Sequence, residues 1–214
     1  MKDFYERYLN GDVKFDKKTM IAIVCIIAVL SGIFGFIYEF IFYYFNSGMK
    51  EFYYRGGNFL PWINIYAHGA LLVMLFTRKM RRKPLLLFVL SMLVTGILEY
   101  LAGYLIYDVL GNTTRCWDYN KEILNFGNIN GYVCLRSVLF FGLSSLLLVY
   151  GIIPSIYYIA SKVNKKTFYV TCVVIFGIFM VDEIYNLAIT RIFNTPRAST
   201  VYKSLGVKYL YFEE

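Results

Sequence analysis

Charged residues, histidine and proline are scarce in this chain of 214 residues: 17% of its residues are charged, one is histidine and four are proline. One histidine cannot build a multi-histidine metal site, and the motifs G-x-x-x-x-G-K-[ST], G-x-S-x-G and H-E-x-x-H do not occur. The sequence therefore excludes a P-loop nucleotide hydrolase and predicts no metal site and no cofactor. Catalysis by carboxylates alone stays open.

Cysteine is also infrequent, and its spacing is uninformative. The four cysteines form no C-x-x-C pair, so they predict neither a disulfide framework nor a zinc site. Cys25 and Cys172 lie within apolar stretches and are interpreted as apolar filler. Cys116 and Cys134 are expected at the same end of the molecule, as a disulfide or as two free thiols.

Long hydrophobic stretches dominate the rest of the chain. Its hydrophobic content is 58%, its aromatic content is 20% and its mean hydropathy is +0.53. The hydrophobic content is well above that of a typical soluble domain. A membrane span needs about 20 mostly apolar residues, and five stretches qualify: 20–45, 59–77, 84–110, 132–160 and 168–193. The predicted fold is an all-α, polytopic transmembrane bundle of about five spans, the first an uncleaved helix.

Lysine and arginine predict the orientation of this bundle. They concentrate before the first stretch, in residues 78–83 and in residues 162–166, which places the N-terminus and these connections in the cytoplasm. The net charge of +8 therefore sits at membrane ends, where it contacts the lipid bilayer, and predicts no nucleic-acid partner. Five spans place the C-terminus outside the cell. The lysine and arginine rule favours the cytoplasm for this end, because it carries the basic residues Arg191, Arg197, Lys203 and Lys208.

The segments flanking the bundle complete the predicted organisation. Residues 1–19 form a cytoplasmic or interfacial segment, 20–193 the five-helix transmembrane domain and 194–214 a C-terminal tail. In the first segment, apolar residues before Gly11 favour a short interfacial helix, although a solvated tail is the alternative. The tail, with Tyr202, Leu205, Tyr209 and Phe212 three to four residues apart, is an interfacial helix or disordered.

Three of the apolar stretches contain carboxylates, namely Glu39, Glu99 and Asp182. A carboxylate at the centre of a membrane helix costs about 2.5–3.5 kcal/mol on insertion scales, so such groups usually face protein or water. Glycines spaced by three or four residues accompany Glu39 and Glu99, which indicates close packing on the same helix face. Asp182, Asn186 and Thr190 form a polar stripe at intervals of four.

Several basic groups are candidate partners for these acids. His68 lies within the second stretch, as a structural hydrogen-bonding group or a proton carrier. Arg55, Arg115 and Arg136 are expected near the outer end. Two interpretations stay open: ion pairs that fix helix packing, or a polar cavity open to the outside and lined by Glu39, His68, Glu99, Asp182, Asn186 and Arg136.

Two connections resemble a known family. The segment RGGNFLPWINIYAHGA, residues 55–70, resembles the RG-x-L-x-G-P-x-x-P-I-Y-G-x-G-A pattern of a bacterial membrane-protein family, the CmpB-like type IV ABC transporters. Trp117-Asp118-Tyr119 and Asn128-Ile129-Asn130-Gly131-Tyr132-Val133-Cys134-Leu135 are similar to its W-D-Y and N-x-x-G-x-x-C-L series. The resemblance implies a permease-like part in the bacterial cytoplasmic membrane. If transport is driven by ATP, the ATPase is a separate subunit.

The two connections also suggest a cover over the acids. Aromatic rings suit the headgroup boundary, and Asp118 can bond to a neighbouring arginine or cap a turn. The expectation is that they fold together as an outer lid formed by Arg55, Arg115, Trp117, Asp118, Tyr119, Asn128 and Asn130.

Three functional hypotheses follow. The first is a permease-type or substrate-binding transport subunit with an acidic cavity for a small polar or amphiphilic ligand. The second is a membrane-embedded enzyme for a lipid-linked substrate, with Glu99 and Asp118 as acid and base. The third is an accessory subunit that assembles another membrane complex through its basic connections.

Overall fold

The computed structural model describes residues 2–111, 114–208 and 212–213, with backbone alone at 114–115 and 212–213. Its helices are α1 (Lys2–Asn10), α2 (Lys17–Asn46), α3 (Asn64–Thr77), α4 (Pro84–Gly103), α5 (Leu135–Leu147), α6 (Ile153–Lys162), α7 (Lys165–Ile184), α8 (Thr190–Ile192) and α9 (Ala198–Ser204). Two-residue strands β1 (Thr114–Arg115) and β2 (Phe212–Glu213) pair antiparallel. The predicted all-α helical bundle is confirmed.

Four helical stretches are long and apolar enough to cross a membrane within the described residues: Lys17–Asn46, Pro84–Val109, Leu135–Lys162 and Lys165–Ile192. The stretch predicted at 59–77 behaves differently, because its helix begins only at Asn64 and has 14 residues. At 1.5 Å per residue it is about 21 Å long, shorter than a hydrocarbon core of about 30 Å. Five crossings and a cytoplasmic N-terminus therefore stay predictions.

Local sequence signals explain where the long helices begin. The Asp16 side chain accepts the Thr19 backbone N–H at 3.0 Å and so caps α2. Pro84 occupies the first turn of α4, where a missing N–H has no cost. The Asn164 side chain accepts the backbone N–H groups of Lys166 and Thr167 and so caps α7.

The helices pack in the order α7, α2, α3, α4, α5, and α6 returns to contact α2. Residues 47–63, 116–134 and 193–208 meet at one end of this bundle, called here the loop-rich end; one link is the bond from the Arg55 guanidinium to the Cys116 carbonyl. Residues 78–83 contact α1 at the opposite, basic end, where Arg81 donates to the Tyr8 carbonyl at 2.8 Å, and α6 contacts α1 through Tyr158 and Phe4.

Glycines allow close helix contacts near the loop-rich end. A Cβ on Gly35 of α2 would lie 2.2 Å from the Tyr66 ring of α3. A Cβ on Gly103 of α4 would lie 2.8 Å from the Tyr132 side chain. Because no larger residue fits either position, these glycines hold α2 against α3 and α4 against the following loop.

Helical geometry changes midway between α5 and α6, where Leu148–Ile152 is a π-helix. There the Ile153 N–H bonds to the Leu148 carbonyl, five residues earlier. In an α-helix it would bond to the Val149 carbonyl, which is therefore left without this donor. Pro154 has no N–H for the Tyr150 carbonyl. Helix α1 supplies both missing donors, because the Tyr8 hydroxyl bonds to the Val149 carbonyl at 2.7 Å and the Tyr5 hydroxyl to the Tyr150 carbonyl at 3.2 Å.

The two ends of the chain and the cysteines complete the comparison with the sequence. The apolar residues before Gly11 fall in α1, which places Tyr8 in the buried core at the basic end. Helix α9 covers only the start of the predicted C-terminal helix, and Tyr209 lies outside the described residues. Cys116 and Cys134 are free thiols, and burial raises the pKa of the Cys116 thiol.

Candidate functional site

A small polar cavity, called here the acid cavity, lies beneath the loop-rich end. Side chains from α2, α3, α4, α5 and the loop 116–134 line it, including Glu39, Tyr66, Glu99, Trp117, Tyr119, Glu122, Arg136 and Ser137. Its volume is about 30 Å³, which holds one or two water molecules. In its present form it is far smaller than a typical small-molecule site.

Glu39 of α2 forms an ion pair at one side of this cavity. The Arg55 Nε lies 2.9 Å from Glu39 Oε2, and the exposed fractions of the two side chains are 3% and 16%. The Arg55 guanidinium also lies 3.9 Å from the centre of the Tyr43 ring and donates to the Cys116 carbonyl at 2.6 Å. Arg55 thus joins the two loop-rich connections to α2.

Glu122, from the loop before α5, forms a second ion pair. Its Oε2 accepts from Arg136 Nη2 at 2.7 Å, and its Oε1 accepts from the Tyr43 hydroxyl at 2.5 Å. The Arg136 guanidinium lies 4.1 Å from the centre of the Phe42 ring. Glu122 was not among the residues predicted from the sequence, because no helical periodicity marks a loop position.

Glu99 of α4 has a different environment. It accepts hydrogen bonds from the Tyr119 hydroxyl and from Ser137 Oγ at 2.7 Å. Burial and then the charge of Glu99 raise the pKa of Tyr119 well above its ordinary value, so this hydroxyl stays protonated and donates. Of the carboxylates that line the acid cavity in the described part of the chain, Glu99 is the one without a salt bridge.

Arg136 has spare hydrogen-bonding capacity. Its Nη2 bonds to Glu122, whereas its Nε and Nη1 are buried and have no hydrogen-bond partner among the described residues. Buried donors of this kind usually bind water or a ligand. The same guanidinium lies 5.1 Å from the centre of the Tyr119 ring, so the spare donors and Glu99 flank one tyrosine.

Five of the predicted lid residues, Trp117, Asp118, Tyr119, Asn128 and Asn130, lie in the loop 116–134. Trp117 lines the cavity, and its Nε1 donates to the Tyr132 carbonyl at 2.9 Å. Asp118 is buried and accepts the Asn120 backbone N–H, outside the cavity lining. Further contacts order this loop: Asn128 bonds to Asn120 and Gly131, and Asn130 bonds to the Tyr100 hydroxyl. The Arg115 side chain lies outside the described structure.

The structure separates Asp182 and Asn186 from the acid cavity. Asp182 accepts the backbone N–H groups of Phe59 and Leu60, each at 2.9 Å. Asn186 donates to Asp182 and accepts the Ala198 N–H at 2.8 Å. This polar stripe therefore fastens the first connection and α9 to α7.

His68 also lies apart from the acid cavity. It is exposed on α3, and its Nδ1 is 2.8 Å from the carbonyl oxygen of Asn64 in the same helix. Glu183 of α7 lies within electrostatic range of His68.

The acid cavity combines acceptors and donors at short range. Glu39 and Glu122 are each paired with an arginine, which leaves the Glu99 carboxylate and the spare Arg136 donors able to bind a further polar group. In the described part of the chain, no group of three or more His, Cys, Asp or Glu side chains is arranged to hold a metal ion. Asp118, the predicted acid–base partner of Glu99 in the enzyme hypothesis, is not among the residues that line this cavity.

Comparison with known proteins gives one match. A family model described as "Putative ABC-transporter type IV" matches residues 24–187, which is well over half of the chain. No curated protein and no solved structure matches the sequence. With its long apolar helices, the chain is a transport-related membrane protein that belongs to the "Putative ABC-transporter type IV" family.

Proposed function

We propose that this protein is a permease-type or substrate-binding subunit in which the acid cavity receives the cationic or hydrogen-bond-donating group of a small polar ligand. The observation that carries the proposal is Glu99, a buried carboxylate with two hydroxyl partners and no salt bridge among the described residues. A buried carboxylate is costly unless it is paired, and a bound cation removes that cost.

The neighbouring ion pairs support this role for Glu99. Glu39 and Glu122 already bind arginines, so their charges are satisfied when the cavity holds no ligand. Five separate chain segments contribute to one small volume. A site built from several helices can open or close when those helices move, as a transport subunit requires.

The loop-rich end faces the outside of the bacterial cytoplasmic membrane in this proposal. The exposed basic side chains of Arg78, Lys79, Arg82 and Lys83 lie at the opposite end, where the lysine and arginine rule predicts cytoplasm. The ligand accordingly enters the acid cavity from outside, beneath the loop that carries Trp117 and Tyr119.

Binding of radiolabelled methylammonium to the purified protein in lipid nanodiscs tests the role of Glu99. We expect saturable binding to the wild type and a loss of affinity of about tenfold or more in Glu99→Gln, because the neutral amide gives up the charge–charge attraction. Glu183→Gln is the matched control, since Glu183 lies on α7 outside the cavity lining. Absence of saturable binding, or equal binding to Glu99→Gln, contradicts the proposal.

A separate ATPase subunit completes the proposed transporter. The chain has no P-loop, and its exposed basic connection between α3 and α4 offers a contact surface at the cytoplasmic end. Mild-detergent purification from the native host should recover a stoichiometric P-loop protein. Replacing Arg78 and Lys79 by glutamate should reduce its recovery, and recovery of a lone chain in both cases argues against the ATPase.

A further inference from the structure

The ligand class follows from two groups in the acid cavity. One is a carboxylate without a countercharge, and the other is a guanidinium with donors that have no acceptor. Glu99 has no salt bridge among the described residues, and Arg136 presents buried Nε and Nη1 donors without acceptors. The first group favours a cation, and the second favours an anion. They flank the Tyr119 ring, since its hydroxyl bonds to Glu99 and its face lies 5.1 Å from the Arg136 guanidinium.

A ligand with only one charge satisfies one of these groups. A simple cation pairs with Glu99 but leaves the Arg136 donors without acceptors, and a simple anion at Arg136 adds a negative charge beside Glu99 and Glu122. A molecule that carries both charges a few bonds apart satisfies both groups and leaves the net charge of the cavity unchanged. Charge-assisted hydrogen bonds of this kind are stronger than neutral ones.

We infer that the acid cavity binds a small zwitterion, with its ammonium group on Glu99 and its carboxylate on Arg136. This inference rests on the proposed function and narrows its ligand class. Arg136 is then a specificity-determining residue, and the Glu122 carboxylate positions its guanidinium through the bond to Nη2.

Room for such a ligand is available next to the acid cavity. A second cavity of about 40 Å³, lined mainly by apolar side chains such as Val73, Leu148 and Ile152, lies between the same helices. Tyr66 and Phe141 border both cavities, with ring centres 5.2 Å apart. We expect a rotation of this aromatic pair to join the two volumes and so to admit a ligand larger than water.

Three small probes separate the alternatives: glycine carries both charges, methylammonium carries the cation and acetate carries the anion. We expect the wild type in nanodiscs to bind glycine about tenfold or more tightly than either single-charge probe, the ratio that one charge-assisted hydrogen bond supplies. Arg136→Lys keeps a positive charge within reach of Glu122 but removes Nε and Nη1, so it should lower glycine affinity towards that of methylammonium.

Each outcome of this experiment decides a different point. A preference for glycine in the wild type that is lost in Arg136→Lys supports the inference. Equal affinities for glycine and methylammonium in the wild type overturn the inference and leave the proposed function standing. Binding of none of the three probes overturns both. Because the wild-type ranking alone tests the inference, a poorly folded Arg136→Lys variant does not remove the test.

Discussion

Buried charges in this protein are held by specific partners, and the partners differ from one acid to the next. Glu39 and Glu122 have arginines, Asp182 has backbone N–H groups and Glu99 has hydroxyls. Burial makes each charge dependent on its partner, because a charge left unpaired in a protein interior is strongly destabilising. The difference in partners therefore separates structural acids from the acid that is free to bind a ligand.

Arg55 should be essential for stability as long as Glu39 is present. Arg55→Met leaves Glu39 buried without its cation, and we expect a loss of about 3 kcal/mol in unfolding free energy. The double variant Glu39→Leu/Arg55→Met removes both charges and should regain most of that loss. Equilibrium unfolding in SDS and mixed micelles measures both values. Equal stability of the single and double variants would show that the pair is not coupled.

The cap of α2 should make stability depend on pH at the acidic extreme. The Thr19 backbone N–H lowers the pKa of Asp16 to about 2, below its value in an unfolded chain, so the cap stabilises the fold above about pH 4. This contribution is lost as the pH falls through 2. Asp16→Ala should therefore lower the Tm at pH 7, and its Tm should converge with the wild type near pH 2. A difference in Tm that is constant with pH would contradict this role.

At the scale of the helices, glycine contacts set how closely α2 approaches α3. Gly35→Ala brings a methyl group to 2.2 Å from the Tyr66 ring, so the ring or the helix must move. We expect a loss of about 1–3 kcal/mol and a weaker affinity for methylammonium, because Tyr66 also lines the acid cavity.

Gly177→Ala on α7 is the control for this substitution, since a Cβ there meets no atom within 4 Å. It should leave stability and binding unchanged or improve stability slightly, as alanine favours helices. The same SDS unfolding experiment compares the two variants. A neutral Gly35→Ala would show that α2 and α3 are not tightly packed at this position.

Helix α1 should be held to the bundle by hydrogen bonds to the carbonyl groups that the π-helix and Pro154 leave without backbone donors. Tyr8→Phe removes the donor to the Val149 carbonyl and should cost about 1 kcal/mol, which increases the amide hydrogen exchange of α1. Tyr169→Phe, with no hydroxyl bond to a described residue, is the matched control. Unchanged exchange in α1 after Tyr8→Phe would indicate that the ring contacts with Tyr157 and Arg81 hold the helix without the hydroxyl.

For the molecule as a whole, hydropathy was sufficient to predict an all-α bundle and the position of four long helices. It placed the start of α3 too early, because Phe59 and Leu60 are apolar yet give their backbone N–H groups to Asp182 instead of to a helix. A hydropathy average does not register such a long-range bond. The π-helix at Leu148–Ile152 was not predicted either, since the carbonyl groups it leaves free are bonded by tertiary partners such as Tyr8.

Helical spacing anticipated that Glu39 and Glu99 face the bundle interior, because the glycines beside them mark the packed faces. It did not identify Glu122, since this residue lies in a loop, where no helical periodicity applies. Spacing also grouped Asp182 with the other acids, because periodicity gives the face of a helix but not the neighbour that this face contacts.

The central claim is that the acid cavity is wet, attracts cations and opens to the outside, and thiol labelling at Ser137 tests it most directly. In a chain whose four native cysteines are replaced by serine, Ser137→Cys should react in intact cells with 2-aminoethyl methanethiosulfonate, and excess methylammonium should slow the reaction. Ser91→Cys, buried and outside the cavity lining, should stay unlabelled. A Ser137→Cys thiol that reacts only after the protein is unfolded would contradict the account.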